Sequence, residues 1–327
     1  MSLRGLRAEL EARQVFKAWE IEENLDRFFF RPVAVVFTAL FLPLGITPNQ
    51  VSVAGMLLGT ASIFFLFGPR LPALLAAVAL LWLAEILDAA DGQLARMQQE
   101  PSRLGRIVDG VCSMLMYLAV YAALAVGLVQ RTGQWGYAVL AVAATASHSL
   151  QSALYDFYRG EYIRIAKKRE ATDGDAPEAL ARAQRIGRAR APGLGPRMML
   201  ALYRHYAQRQ VWTTPTYQPL LRAVRAQFRT RPVSERFAAA YARHQRRMVR
   251  WWNHLGPNAH LLLLTGAILV HRPAWYLWAN VLLLNLYALA MTWAQRSTSD
   301  RLIQELLLEE AAARPEPETR RVMARVP

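Results

Sequence analysis

Cysteine is almost missing from this chain: Cys112 stands alone among 327 residues. A single thiol excludes an intrachain disulfide, and nothing in the sequence points to an oxidising compartment. With one cysteine and six histidines there is no Cys/His set of the kind that holds zinc. The charged start, "MSLRGLRAELEARQVFKAWEIEENLDRFF", has no short apolar core with a cleavage site, so no signal peptide is expected. Acids are the scarcer charge, 24 Asp and Glu against 39 Lys and Arg, for a formal net charge of +15. Such an excess suits an anionic partner, either nucleic acid or the cytoplasmic face of a membrane. No nucleic-acid motif is recognisable and the aromatics form no stacking pattern, so no nucleic acid is expected.

What the chain has instead is apolar sequence, 54% of it, in blocks that alternate with arginine-rich ones. A bilayer crossing takes ~20 apolar residues. Residues 51–68, 71–90, 105–130, 134–155, 257–271 and 274–295 meet that demand and predict six spans in three hairpins. The hairpin turns carry only Arg70, Arg131 and Arg272, whereas the opposite side carries the basic N-terminus, the 92–104 loop, the 156–255 segment and the C-terminal tail. By the positive-inside rule that richer side is cytoplasmic, and both chain ends with it. The expected organisation is therefore 1–50, N-terminal cytoplasmic and juxtamembrane helices; 51–155, four spans; 156–255, a basic helical cytoplasmic insert; 256–296, two spans; and 297–327, a tail. This is an all-α integral membrane protein.

Residues 15–45 read as a juxtamembrane helix interrupted downstream by Pro43 and Pro48, with a seventh span as the competing reading. The 156–255 insert holds more than half of the 39 basic residues. Its segments "APEALARAQRIGRAR", "MMLALYRHYAQRQ" and "SERFAAAYARHQRRMVRWW" have amphipathic periodicity between Pro and Gly breaks. Anionic membrane lipids are its expected partner. After Arg314 the sequence predicts disorder.

Ionisable groups inside spans are costly and by default mark function. In "DAADGQLARMQQEPSRLGRIVDGVCS" (88–113), Asp88, Asp91, Gly92 and Ala95 share one face of the second span. Gly105, Asp109 and Ser113 share one face of the third, and a loop of about a dozen residues joins the two. Three carboxylates then meet at the cytoplasmic mouth, where they would repel one another or take up protons. A divalent cation resolves the conflict, and an all-oxygen set suits Mg²⁺ or Mn²⁺, with Ca²⁺ able to occupy it. Arg96 can take an anionic oxygen, and Gly92 and Ala95 leave room for a flat group. Ion pairs with Arg96, Arg103 or Arg106 are the plainer reading, but they need neither the small residues nor acids on two faces.

These residues resemble the signature of the CDP-alcohol phosphotransferases, D-x2-D-G-x2-A-R-x8-G-x3-D-x3-D. Asp88, Asp91, Gly92, Ala95, Arg96, Gly105 and Asp109 fall at the signature's spacings, and "ITPNQVS" at 46–52 resembles the Thr-Pro-Asn start common in the family. The resemblance implies six helices around a polar cavity open to the cytoplasm. It also implies one or two divalent ions on Asp88, Asp91 and Asp109. A CDP-linked donor would lie against Asn49, Asp88, Gly92, Ala95, Arg96 and Gly105. An acceptor hydroxyl would displace CMP from the donor. The donor expected most is CDP-diacylglycerol, and the acceptor is an unidentified polyol, phospho-polyol or lipid. Family members commonly pair as homodimers.

Ser113 stands where the signature has its fourth aspartate, the family's general base. A serine hydroxyl is too weak a base at neutral pH. Three readings follow: a degenerate member that binds CDP-lipid without turnover, a substitution that slows turnover, or a base supplied from elsewhere. Glu85, one turn deeper than Asp88, and His148, on a polar stripe with Gln151 and Tyr155, are the candidate replacements, together with Asp156. Arg159, Arg164, Lys167 and Lys168 could receive an acceptor phosphate or simply anchor the fourth span. Asn253, His254, Asn258 and His260 mark the start of the fifth. Membrane prenyltransferases also use aspartates with Mg²⁺, but their second Asp-rich motif is absent here.

Overall fold

The computed structural model defines residues 19–98, 103–167, 212–228 and 232–313. Among them there is no strand, so the all-helical expectation is met. Two of the insert's three amphipathic segments, Lys168 and the tail beyond Arg314 lie outside the described residues. The helices in order are α1 (Arg31–Phe41), α2 (Pro48–Ala61), α3 (Leu71–Met97), α4 (Arg103–Thr132), α5 (Gly136–Ala166), α6 (Gln218–Gln227), α7 (Glu235–Trp252), α8 (Pro257–Leu269), α9 (Pro273–Trp278) and α10 (Asn285–Ala313). A π-helical turn, Asp26–Phe30, leads into α1, and another, Ala279–Leu284, joins α9 to α10.

Among the described residues, three stretches are long and apolar enough to cross a membrane, against the six the sequence predicts: Leu71–Met97, Val108–Thr132 and Pro273–Glu309. The first predicted span is shorter in helix than the sequence suggests, with 14 residues of α2 followed by a 3-10 turn, Ser62–Phe64. Helix α3 continues to Met97 and α4 begins at Arg103, so most of the predicted dozen-residue loop is helix. That difference matters for the site, because Asp91, Gly92, Ala95 and Arg96 stay on a rigid helical face.

The chain divides into two compact units. One comprises Met1–Asp156 with Trp252–Ala288. Within it α2 packs against both α3 and α4, α1 against α3, and α8 against α3. The start of α2 is set by "TPNQ": Thr47 caps the Gln50 amide, the Gln50 side chain returns a bond to the Thr47 N–H at 2.9 Å, and Pro48 occupies the first turn. Such a cap contributes about 1 kcal/mol and fixes where the helix begins. Close approach of α2 is made possible by two glycines. A Cβ on Gly55 would lie 3.4 Å from Leu87 Cβ, and one on Gly59 would lie 2.1 Å from Met116 Sδ. Spaced one turn apart, they form the small-residue seam by which membrane helices approach closely.

The same unit holds a buried polar network. The rings of His148 (α5) and His260 (α8) stack face to face, 3.7 Å apart. His148 Nδ1 meets Tyr121 Oη at 2.9 Å, Tyr121 meets Tyr276 at 2.6 Å, and Tyr276 Oη meets His260 Nδ1 at 3.2 Å. Asn280, on the π turn, donates to Tyr121 Oη and to the Ala144 carbonyl, and Gln151 donates to the Asn280 carbonyl. Buried polar groups require such partners.

The other unit comprises Phe157–Trp251 with Leu289–Pro327. Its described core is aromatic: Tyr217 packs edge-on against Phe157 and Tyr158, and its hydroxyl bonds that of Tyr241. Burial pushes the Tyr217 and Tyr241 phenols above their ordinary range. Arg164 is held by Glu161 through both of its fork nitrogens.

Candidate active site

Helices α3 and α4 bring Asp88, Asp91 and Asp109 together. One oxygen from each carboxylate lies within 4.8 Å of the others. Asp88 is exposed, Asp109 half-buried and Asp91 buried. Two unit charges at that separation repel by about 1 kcal/mol in bulk water and about 3–4 kcal/mol at an effective dielectric of 20. Carboxylates this close repel one another unless a proton or a cation compensates them. The donors are all hard oxygens, and they converge from two helices, so the set fits Mg²⁺, Mn²⁺ or Ca²⁺ and not zinc.

Each acid has a neighbour that orients it. Ser52 Oγ on α2 lies in hydrogen-bonding reach of an Asp91 oxygen and of the Pro48 carbonyl, 3.1 Å away. Ser113 Oγ donates to Asp88 Oδ1 at 3.3 Å, so the hydroxyl at the fourth signature position is engaged with a neighbouring acid. Gly92 sits beneath the guanidinium of Arg96: a Cβ there would lie 3.4 Å from Arg96 Nη1. The room the sequence assigned to a flat ligand is thus covered by Arg96's own head group.

A small recess, partly open to solvent, continues from the acids into the helix packing. Its walls are Ser52, Gly55 and Met56 of α2, then Ala84, Glu85 and Asp88 of α3, and Asp109, Cys112, Ser113 and Met116 of α4. Glu85 accepts a hydrogen bond from Tyr117 Oη at 2.9 Å. Of the three candidate bases, Glu85 lines the recess and His148 and Asp156 do not, the His148 ring being engaged with His260 and Tyr121. Asn49 lies half-buried in the first turn of α2, and Ala95 and Gly105 are half-buried on α3 and α4; none of the three lines the recess. Asn258 donates to Asp26 and Asn253 to the Ile21 carbonyl, which accounts structurally for two of the polar residues at the start of α8.

Sequence reading missed Ser52, Tyr117 and the Gly55–Gly59 seam. A signal existed for two of them: Tyr117 continues the Asp109–Ser113 face by one more turn, and the glycines are four residues apart within an apolar run. Ser52 carried no signal beyond its place near the Thr-Pro-Asn start.

Residues 45–169 match the family model of the CDP-alcohol phosphatidyltransferases. That stretch is similar to the family. It contains the three acids, Ser113, Glu85 and every wall of the recess. Its members use a CDP-alcohol donor and an alcohol acceptor and are generally dependent on a divalent metal. The chain is also similar, with 32% identity over 123 residues, to the bifunctional IPC transferase and DIPP synthase of Thermococcus kodakarensis. The aligned region is 38% of this chain and spans 27% of that relative's length. No solved structure matches the chain.

Proposed function

We propose that this protein transfers a phospho-alcohol group from a CDP-alcohol, in first place CDP-diacylglycerol, to an acceptor hydroxyl with release of CMP. The observation that carries the reading is the convergence of Asp88, Asp91 and Asp109 from two helices within the family-matched stretch. Those three residues would hold one or two Mg²⁺ or Mn²⁺ ions, which when bound neutralise phosphoryl oxygens and stabilise the leaving group. Ser52 fixes the orientation of Asp91, and Arg96, lying over Gly92, offers a planar cation to a donor phosphate. Asn49, Gly92, Ala95 and Gly105 would shape the cytidine side of the site. The relative's name supports synthase chemistry of this class, but the acceptor is assigned here only as a polyol, phospho-polyol or lipid alcohol.

The enzyme sits in the membrane with six spans, both ends and the active site on the cytoplasmic face, as a homodimer. The last span has its own support. Trp275 and Trp293 stand exposed on the last predicted span, as interfacial aromatics do. The basic 156–255 insert would then rest against anionic lipid headgroups.

The engagement of Ser113 with Asp88 favours one second reading, a member that binds CDP-lipid without turning it over. One assay separates the two. The full-length protein in mixed micelles with CDP-diacylglycerol, Mg²⁺ or Mn²⁺ and a panel of glycerol, inositol and their monophosphates should release CMP with at least one acceptor. Asp91→Asn should abolish that release. Retained CDP-lipid binding with no CMP from any acceptor sinks the enzymatic reading in favour of the second.

A further inference from the structure

Transfer to an alcohol requires that the attacking hydroxyl lose its proton as the new O–P bond forms. The three clustered acids face one another and are the residues assigned to the cation, and Ser113 donates its own proton to Asp88. One other ionisable acid lines the recess, Glu85 of α3. It lies a turn deeper than Asp88 on the same helix, and the phenol of Tyr117 donates to its Oε1 at 2.9 Å. Tyr117 is itself fixed, with its ring edge-on against His148 at 4.6 Å between centroids, and His148 is clamped by its stack on His260. Tyr117 also stands one turn beyond Ser113 on α4. The position left without an acid on α4 is thus faced, a turn deeper, by an acid from α3 that α4 holds in place.

Resting on the transferase reading above, we infer that Glu85 is the group that takes the acceptor's proton, and that Tyr117 is the positioning residue that aims its carboxylate. In the step, the acceptor oxygen bonds to phosphorus while the bond from phosphorus to the CMP oxygen breaks. The hydroxyl proton passes to Glu85, and CMP leaves carrying the electron pair of the broken bond. Tyr117 keeps one carboxylate oxygen occupied and leaves the other free to face the acceptor. The recess walls on either side, Gly55, Met56, Ala84 and Met116, bring no competing acid or base.

The test measures CMP release and Mn²⁺-dependent binding of CDP-diacylglycerol for full-length wild type, Glu85→Gln, Ser113→Asp, Tyr117→Phe and the doubles. General base catalysis typically contributes ~10²–10⁴-fold. Glu85→Gln should therefore lower kcat by about that factor, with donor binding retained. Ser113→Asp should restore kcat in the Glu85→Gln background, which a structural role for Glu85 would not allow. Tyr117→Phe should lower kcat with KM unchanged, and should add nothing to Glu85→Gln, since the pair acts as a unit. Wild-type kcat in Glu85→Gln, loss of donor binding in that variant, or failure of Ser113→Asp to restore it each overturns the assignment while the transferase reading stands. CMP release by Ser113→Asp but not by wild type also overturns it. No release from either removes the transferase reading with it.

Discussion

Ser52 on α2 and Asp91 on α3, thirty-nine residues apart in the chain, are joined by a hydrogen bond between buried side chains. The bond fixes the one acid of the cluster that water does not reach, before any ligand arrives. Removing the partner of a ligating group typically weakens metal affinity 10–100-fold. Ser52→Ala should weaken Mn²⁺ binding by about that range, measured by titration calorimetry or Mn²⁺ electron paramagnetic resonance, with turnover recovering at saturating metal. Unchanged affinity would separate Ser52 from the metal site.

Ser113→Asp carries a signature of its own without any substrate. It replaces a hydrogen-bond donor 3.3 Å from Asp88 with a fourth negative charge. Without divalent metal the variant should melt below wild type, because like charges are brought together. With Mg²⁺ or Mn²⁺ it should gain more in Tm than wild type does, since the cation meets one more ligand. Thermal melts in detergent with chelator and with metal read both shifts. Equal metal-induced shifts would place residue 113 outside the site.

Gly59 gives a test of the seam that positions α2. A side chain there meets Met116 Sδ first, at 2.1 Å for Cβ alone. Overpacking of this kind costs about 1–3 kcal/mol. Gly59→Val should lower stability by about that amount, and Met116→Ala should relieve part of the loss in the double variant. Additive losses in the two changes would mean that Met116 is not what the valine meets.

His148 separates packing from chemistry. Its ring is stacked on His260 and bonded to Tyr121, away from the recess. His148→Ala should lower Tm through the lost stack and the orphaned Tyr121 hydroxyl, and should lower CMP release per folded molecule no further than Tyr117→Phe does, since its ring bears on the recess only through Tyr117. A loss of 100-fold or more at unchanged Tm would return His148 to the list of proton acceptors.

The candidate site was far more legible in the sequence than the packing that supports it. Helical periodicity alone put Asp88 and Asp91 on one face and Asp109 on another, because 3.6 residues per turn is a local rule. The length of α3 beyond residue 90 was missed because "DGQLARM" is polar. Hydropathy reports where a span leaves lipid, not where its helix ends. Ser52 and Tyr117 were missed for a different reason. Each matters through a partner dozens of residues away, and only packing of α2, α3 and α4 brings those partners together. Likewise His148 reads as a candidate base and His260 as a polar residue at the start of the fifth span, and nothing local announces that two rings will share a face.

The π-helical turn at Ala279–Leu284 has a consequence for register. Such a turn holds one residue more than an α-helical turn of the same reach. Deleting one residue within it would let α-geometry close while the residues just beyond keep their present facing, because the turn absorbs its extra residue locally. Asn280 and Asn285, which donate to the Ala144 carbonyl and to Ser147 Oγ on α5, bracket the stretch that such a deletion would tighten. A related sequence one residue shorter here needs its gap inside these six positions, because a gap placed elsewhere would compare the residues between one position, about 100°, out of register.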